Sequence, residues 1–176
     1  RLNLIAPEGT SCEEYDHAVQ QASRREVFAF FGTLLREDLP VTNLGDSEFI
    51  TVNSLLADFY GLPGVAGDDY RKVSLPYDSV RGGLLGQSAI LTLTGTGDRT
   101  SPVERGAYVL RKVLHQPPPP APANVPMLDE ESLGTRSIKE SLASHMSKAQ
   151  CNSCHRRIDP LGFGMENFDP VGRWRT

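Results

Sequence analysis

Cysteine is scarce in this chain of 176 residues, and two of its three cysteines stand three positions apart with a histidine directly behind them: Cys151-Asn152-Ser153-Cys154-His155. On a short helical turn, two thiols at that spacing can each add to one vinyl group of the same haem. The histidine that follows then comes under the iron and supplies an axial nitrogen. The pattern C-x-x-C-H is therefore read as an attachment site for haem c, with Cys151 and Cys154 holding the cofactor and His155 ligating the iron. Two other chemistries share part of the pattern. A thiol–disulfide redox pair of the thioredoxin kind sits at a strand-to-helix junction of a βαβ unit, and no such pattern surrounds Cys151. A zinc site needs a second ligand pair at suitable spacing, and Cys12 is the only other thiol. Cys12 itself reads as a small, partly buried residue.

The sixth iron position has six candidates by residue type: His17, His115, His145, Met127, Met146 and Met165. Histidine would give a lower potential and thioether sulfur a higher one, because soft neutral sulfur favours ferrous iron. An open position would admit ligand binding or peroxide chemistry, with His115, His145 or Glu166 as the available acid or base. His145 and Met165 lie ten residues before and ten residues after His155, so either reaches the far face only if the chain wraps the haem edge. Arg81, Arg105, Arg156 and Arg173 are candidate partners for the haem propionates. Leu161-Gly162-Phe163 and Val171-Gly172-Arg173-Trp174 are candidate covers for the porphyrin, their glycines letting backbone approach the ring.

The elements that must position these groups are mostly helical. Ser11-Cys12-Glu13-Glu14 has the form of a capping box, and Tyr15, Val19, Ala22, Val27, Phe30, Phe31 and Leu34 continue with helical spacing up to Pro40. Asp46 or Ser47 is expected to cap a second helix with Phe49, Ile50, Val52, Leu55, Leu56 and Phe59 on its apolar face and Gly61 as its stop. Tyr70 to Leu75 reads as a short strand. Arg81 to Thr94 is ambiguous between helix and extended chain. Ser101, Pro102 and Glu104 mark a third helix running to about His115. Pro117 to Pro120, with Pro122 and Pro126, predict a polyproline II strap over residues 116–126. A fourth helix is expected from Ile138 to about Lys148, and Asp159-Pro160 predicts a new helix from Pro160 to Phe168.

Composition sets the outer bounds. Net charge is −4 with an isoelectric point near 5.6, which gives no electrostatic footprint for nucleic acid. No apolar run approaches the ~20 residues of a membrane span. The chain starts at Arg1 and stops at Thr176 with no terminating signal, and is expected to be a piece of a larger polypeptide. Attachment of haem c is, in bacteria, an exported chemistry, so the motif points to the periplasm or cell surface.

Three longer stretches carry a resemblance. Cys151 to Arg175 reads CNSCHRRIDPLGFGMENFDPVGRWR. This resembles the cytochrome-like haem c module of large planctomycete-type exported proteins. Arg81 to Pro126 resembles the first part of the same module, and Phe30 to Leu62 resembles the domain that precedes it. The resemblance implies haem c at Cys151, Cys154 and His155. It also places a histidine six residues before the first cysteine, a position that His145 fills, so His145 is preferred over Met165 as sixth ligand. It implies a cofactor rather than a substrate.

The expected architecture is a mostly α fold: a helical cytochrome-c-like unit, a helical platform, long loops and the polyproline strap. Residues 1–78 form the N-terminal helical region and residues 79–176 the haem-binding region. The expected function is that of a monohaem c-type cytochrome module passing single electrons to a redox partner protein. The alternative is a haem-dependent oxidoreductase or peroxidase with an open sixth site, and the sequence leaves enzymatic activity undecided.

Overall fold

The computed structural model describes residues 14–95, 97, 99–120 and 149–175. These form a mostly helical fold with one small two-stranded sheet. The chain divides into two compact units, Arg1–Ser101 with Met165–Thr176, and Pro102–Gly164. Residues 79–176 are thus shared between the two units. No helix among the described residues is long and apolar enough to cross a membrane.

The first unit is built on α1, His17–Arg36. The sequence expectation of a helix here holds, but its start is later than the capping box suggested. Asp16 is the cap, its carboxylate accepting the Val19 N–H at 2.9 Å. Ser11, Cys12 and Glu13 lie outside the described residues. Tyr15, Val19, Ala22, Phe30 and Leu34 are buried as the spacing predicted, whereas Phe31 is exposed.

The expected second helix divides. Phe49–Val52 is strand β1, paired antiparallel with β2, Arg71–Ser74, in the register Phe49 opposite Ser74 and Val52 opposite Arg71. An aromatic residue followed by β-branched ones suits a pleated, buried surface, and all four residues of β1 are buried. The helix that follows, α2, is only Ser54–Phe59, and Asn53 rather than Asp46 or Ser47 caps it by accepting the Leu56 N–H at 3.1 Å. The strand expected within Tyr70 to Leu75 is β2. The ambiguous stretch after Arg81 resolves into a short 3₁₀ turn, Leu84–Gly86, and helix α3, Ser88–Leu93.

Tyr15, Val19, Ala22, Ile50, Val52, Leu56, Ala57 and Val171 form the core of this unit. Val171 belongs to a terminal turn stitched to the rest by backbone acceptors. Ser88 Oγ donates to the Val171 carbonyl at 2.5 Å, and Arg81 donates to the carbonyls of Gly172 at 2.5 Å and Gly86 at 2.8 Å. The Arg81 guanidinium also lies 3.8 Å from the centroid of the Tyr60 ring. Tyr60 in turn donates its hydroxyl hydrogen to Glu26 at 2.6 Å and accepts the Ser88 N–H at 2.9 Å.

Glu26 is 1% exposed. Burial pushes its carboxyl from the ordinary 4.5 up to about 8, against the lowering effects of the Tyr60 hydrogen bond and the Arg81 charge. Burial, together with Glu26, also pushes the Tyr60 hydroxyl well above the usual tyrosine range.

The second unit is a helix pair. Helix α4 is Pro102–Tyr108, continued by a π-helical turn, Val109–Val113. Pro102 opens the helix as expected, because its missing N–H is not needed in the first turn. Helix α5 is Ala149–Phe163, a single helix with Pro160 inside it. The separate helix from Pro160 to Phe168 is therefore not formed. Residues 164–167 are a turn, and Phe168 makes an isolated bridge with Trp174 in the first unit.

The reason lies in packing. A methyl group on Gly106 would fall on the Ile158 carbonyl, and one on Gly162 would fall on the Pro102 carbonyl. Two glycines thus let α4 and α5 touch backbone to backbone on both sides of residue 160. Ala107, Leu110 and Ile158 close the apolar contact. Residues 117–120 are neither helix, strand nor turn. Pro122, Pro126 and the expected helix from Ile138 to Lys148 lie outside the described residues.

Two outcomes follow from this packing. Gly106→Ala and Gly162→Ala should each destabilise the helix pair by about 1–3 kcal/mol in urea unfolding, whereas Gly164→Ala, with only ordinary contacts nearby, should change it by less than about 0.5 kcal/mol. For Glu26, the fold holds the proton and the unfolded chain releases it above about 4.5. Its contribution to stability is therefore full below that pH, declines as pH rises, and is gone above about 8. Unfolding free energy measured between pH 5 and 8 should fall by up to about 1.4 kcal/mol per unit, and Glu26→Gln should flatten that slope.

Candidate functional site

Helix α5 carries the whole C-x-x-C-H motif, with Cys151 as its third residue. Along it, Asn152, Ser153, Arg156 and Arg157 are exposed, Cys151, Cys154 and His155 are half-buried, and Ile158 and Asp159 are buried. The less exposed positions recur at intervals of three and four, which is one face of a helix. The two thiols and the imidazole therefore share the inward stripe. Both cysteines are free thiols rather than a disulfide. Cys154 packs against the apolar cluster of Ala107, Leu110 and Ile158.

His155 Nδ1 lies 2.9 Å from Asp159 Oδ1. With a carboxylate as acceptor, Nδ1–H donates, which leaves the lone pair on Nε2. Asp159 is 1% exposed, and its second oxygen, Oδ2, is buried without a hydrogen-bond partner among the described residues. The pair exists because the helix is continuous. Asp159 stands four residues after His155 on the same face, a relation that a break before Pro160 would have destroyed. Pro160 removes one backbone donor, but it is exposed, as is Arg156, whose carbonyl loses that donor.

The other residues singled out from the sequence fall in several places. His145, Met146 and Met127 lie outside the described residues. Met165 is buried in the first unit. His115 has a positive φ of 50° just after the π-helical turn, and His17 is exposed at the start of α1, where its ring contacts Gln21. Arg81 is committed to two carbonyls and the Tyr60 ring. Arg173 pairs with Glu14 at 2.6 Å and Asp169 at 3.4 Å. Arg105 is fully buried in the second unit, and Arg156 is exposed. Glu166 is bonded by Thr100 and paired with Arg175.

The Asp159-Pro160 pair has the sequence form of a helix cap. The spacing of Asp159 from His155 was the signal available, and the following proline obscured it. Tyr60, with Arg81, also lines a surface cleft of about 490 Å³ with Phe59 and Trp174. Nothing in the local pattern of those residues pointed there.

Among the described residues, no three of His, Cys, Asp and Glu are grouped so as to hold a metal ion by themselves. The helix does offer two free thiols three residues apart and an imidazole whose Nδ1 is held by a carboxylate. In residue type and spacing that donor set fits covalent haem attachment.

Residues 81–176 match the model of PSCyt3, a protein of unknown function (DUF1588), and the chain belongs to that family. Residues 1–62 match the model of PSD4, a protein of unknown function (DUF1592). No curated protein and no solved structure matches the chain.

The packing of the two cysteines separates their structural roles. In haem-free protein, Cys154→Ser should lower stability by about 1 kcal/mol, because it places a hydroxyl against Leu110 and Ile158. Cys151→Ser, outside that apolar cluster, should change it by less than about 0.5 kcal/mol in the same thermal scan.

Proposed function

We propose that this chain is a monohaem c-type cytochrome module that carries single electrons within an exported protein, in the periplasm or at the cell surface. The observation that carries the reading is the C-x-x-C-H motif on one continuous helix, with both thiols free and His155 oriented through Nδ1. Haem c, when bound, supplies a one-electron ferric/ferrous couple. The chain's own residues do the rest. Cys151 and Cys154 would hold the group by thioether bonds, which keeps it in an open compartment. His155 would give the axial nitrogen. Ile158, Leu110 and Ala107 pack the helix that presents these groups against α4. His145 is the preferred sixth ligand and Met165 the alternative. A redox protein is the partner that this chemistry requires.

The test is direct. Protein exported with cytochrome maturation should show one haem c per chain by pyridine haemochrome, and Cys151→Ser with Cys154→Ser should abolish it. Absence of haem in the parent chain overturns the reading and returns the pair to disulfide chemistry. A low-spin spectrum indifferent to carbon monoxide is expected, with its bands lost in His145→Ala and retained in Met165→Ala. Rapid carbon monoxide binding to a high-spin iron would instead identify an oxidoreductase with an open sixth site.

A further inference from the structure

We infer that Asp159 is a positioning residue for the iron ligand: it fixes the orientation and tautomer of His155 and, by its charge, holds the potential of the site low. This rests on the haem reading above.

A helix cap is excluded as its role, because Asp159 lies well inside Ala149–Phe163 rather than at its start. Aspartate is also a poor helix former, and here it precedes a proline that costs a further backbone bond, so helix formation does not explain it. Nor does stability alone. A carboxylate with 2% side-chain exposure and, among the described residues, one oxygen without a partner carries a desolvation cost that its imidazole contact offsets poorly. What the site gains is geometric. The His155 ring is gripped from its Nδ1 side by a group on the same rigid helix. That helix is locked to α4 through Ile158 immediately before Asp159 and through Gly162 just after it. A carboxylate in this position makes the imidazole a stronger electron donor. It also sets a negative charge behind the ligand, which favours ferric over ferrous iron.

The experiment is a redox titration of the holoprotein with Asp159→Asn and Asp159→Ser. Asn keeps the shape and an acceptor while removing the charge; Ser removes both. In each, the ferric/ferrous equilibrium should move at least tenfold toward ferrous iron, an upward midpoint shift of about 59 mV for one electron. Asp159→Glu should return most of that shift. A purely structural role would leave the potential unchanged in any variant that retains haem, and that result overturns the inference while the cytochrome reading stands. If the parent chain carries no haem, the cytochrome reading itself has failed, and the inference falls with it. Should neither neutral variant accumulate with haem, His145→Ala decides, because loss of the sixth ligand leaves its iron five-coordinate. Resonance Raman of the ferrous His145→Ala holoprotein should show the raised iron–histidine stretch of a carboxylate-bonded imidazole. A stretch typical of a carbonyl-bonded imidazole overturns it.

Discussion

The backbone-to-backbone approach of α4 and α5 is the constraint on which the second unit depends. Side chains normally keep helix axes 8–10 Å apart, and only glycine at the crossing lets carbonyls meet the opposing chain. Gly106 against Ile158 and Gly162 against Pro102 bracket the proline of α5. A proline inside a helix would ordinarily end or bend it, at a cost of about 3 kcal/mol. Here the partner helix holds both flanks, and the helix persists. That persistence is what brings an aspartate beneath the histidine of the motif.

The first unit is organised by a different device. Its buried polar residues, Glu26, Arg81 and Ser88, link segments far apart in sequence through Tyr60 and the terminal turn. Such a network specifies one arrangement of segments more sharply than apolar burial does, because each buried donor or acceptor must meet its partner. The stacking of Arg81 on Tyr60, with the charges of Glu26 and Asp169 nearby, lets a cation remain inside without an ion-paired carboxylate among the described residues.

Local chemistry made part of this legible in the sequence. Ser101-Pro102 and Glu104 marked the start of α4, the run around Val73 gave β2, and the spacing from Tyr15 to Leu34 gave α1. The failures also have physical causes. Phe49 to Val52 satisfies both a helical and an extended pattern, because a short apolar run fits either period and only the β2 partner selects the strand. Asp159-Pro160 has the form of a helix start, but the tertiary contacts of Gly106 and Gly162 override it. The pairing of Glu26 with Tyr60 spans 34 residues and leaves no periodic trace. The C-x-x-C-H motif was legible at once as chemistry. The carboxylate that supports its histidine became visible only with the helix continuous.

The position of Cys151 as the third residue of α5 bears on when each part of that helix can open. Helix ends fray at low free energy, whereas segments locked by tertiary contact open only with the wider fold. The glycine crossings lie toward the other end, at residues 158 and 162. Among the described residues, no such crossing holds the turn that carries Cys151, so that turn opens at lower free energy than the one that carries Asp159, which lies between the two crossings.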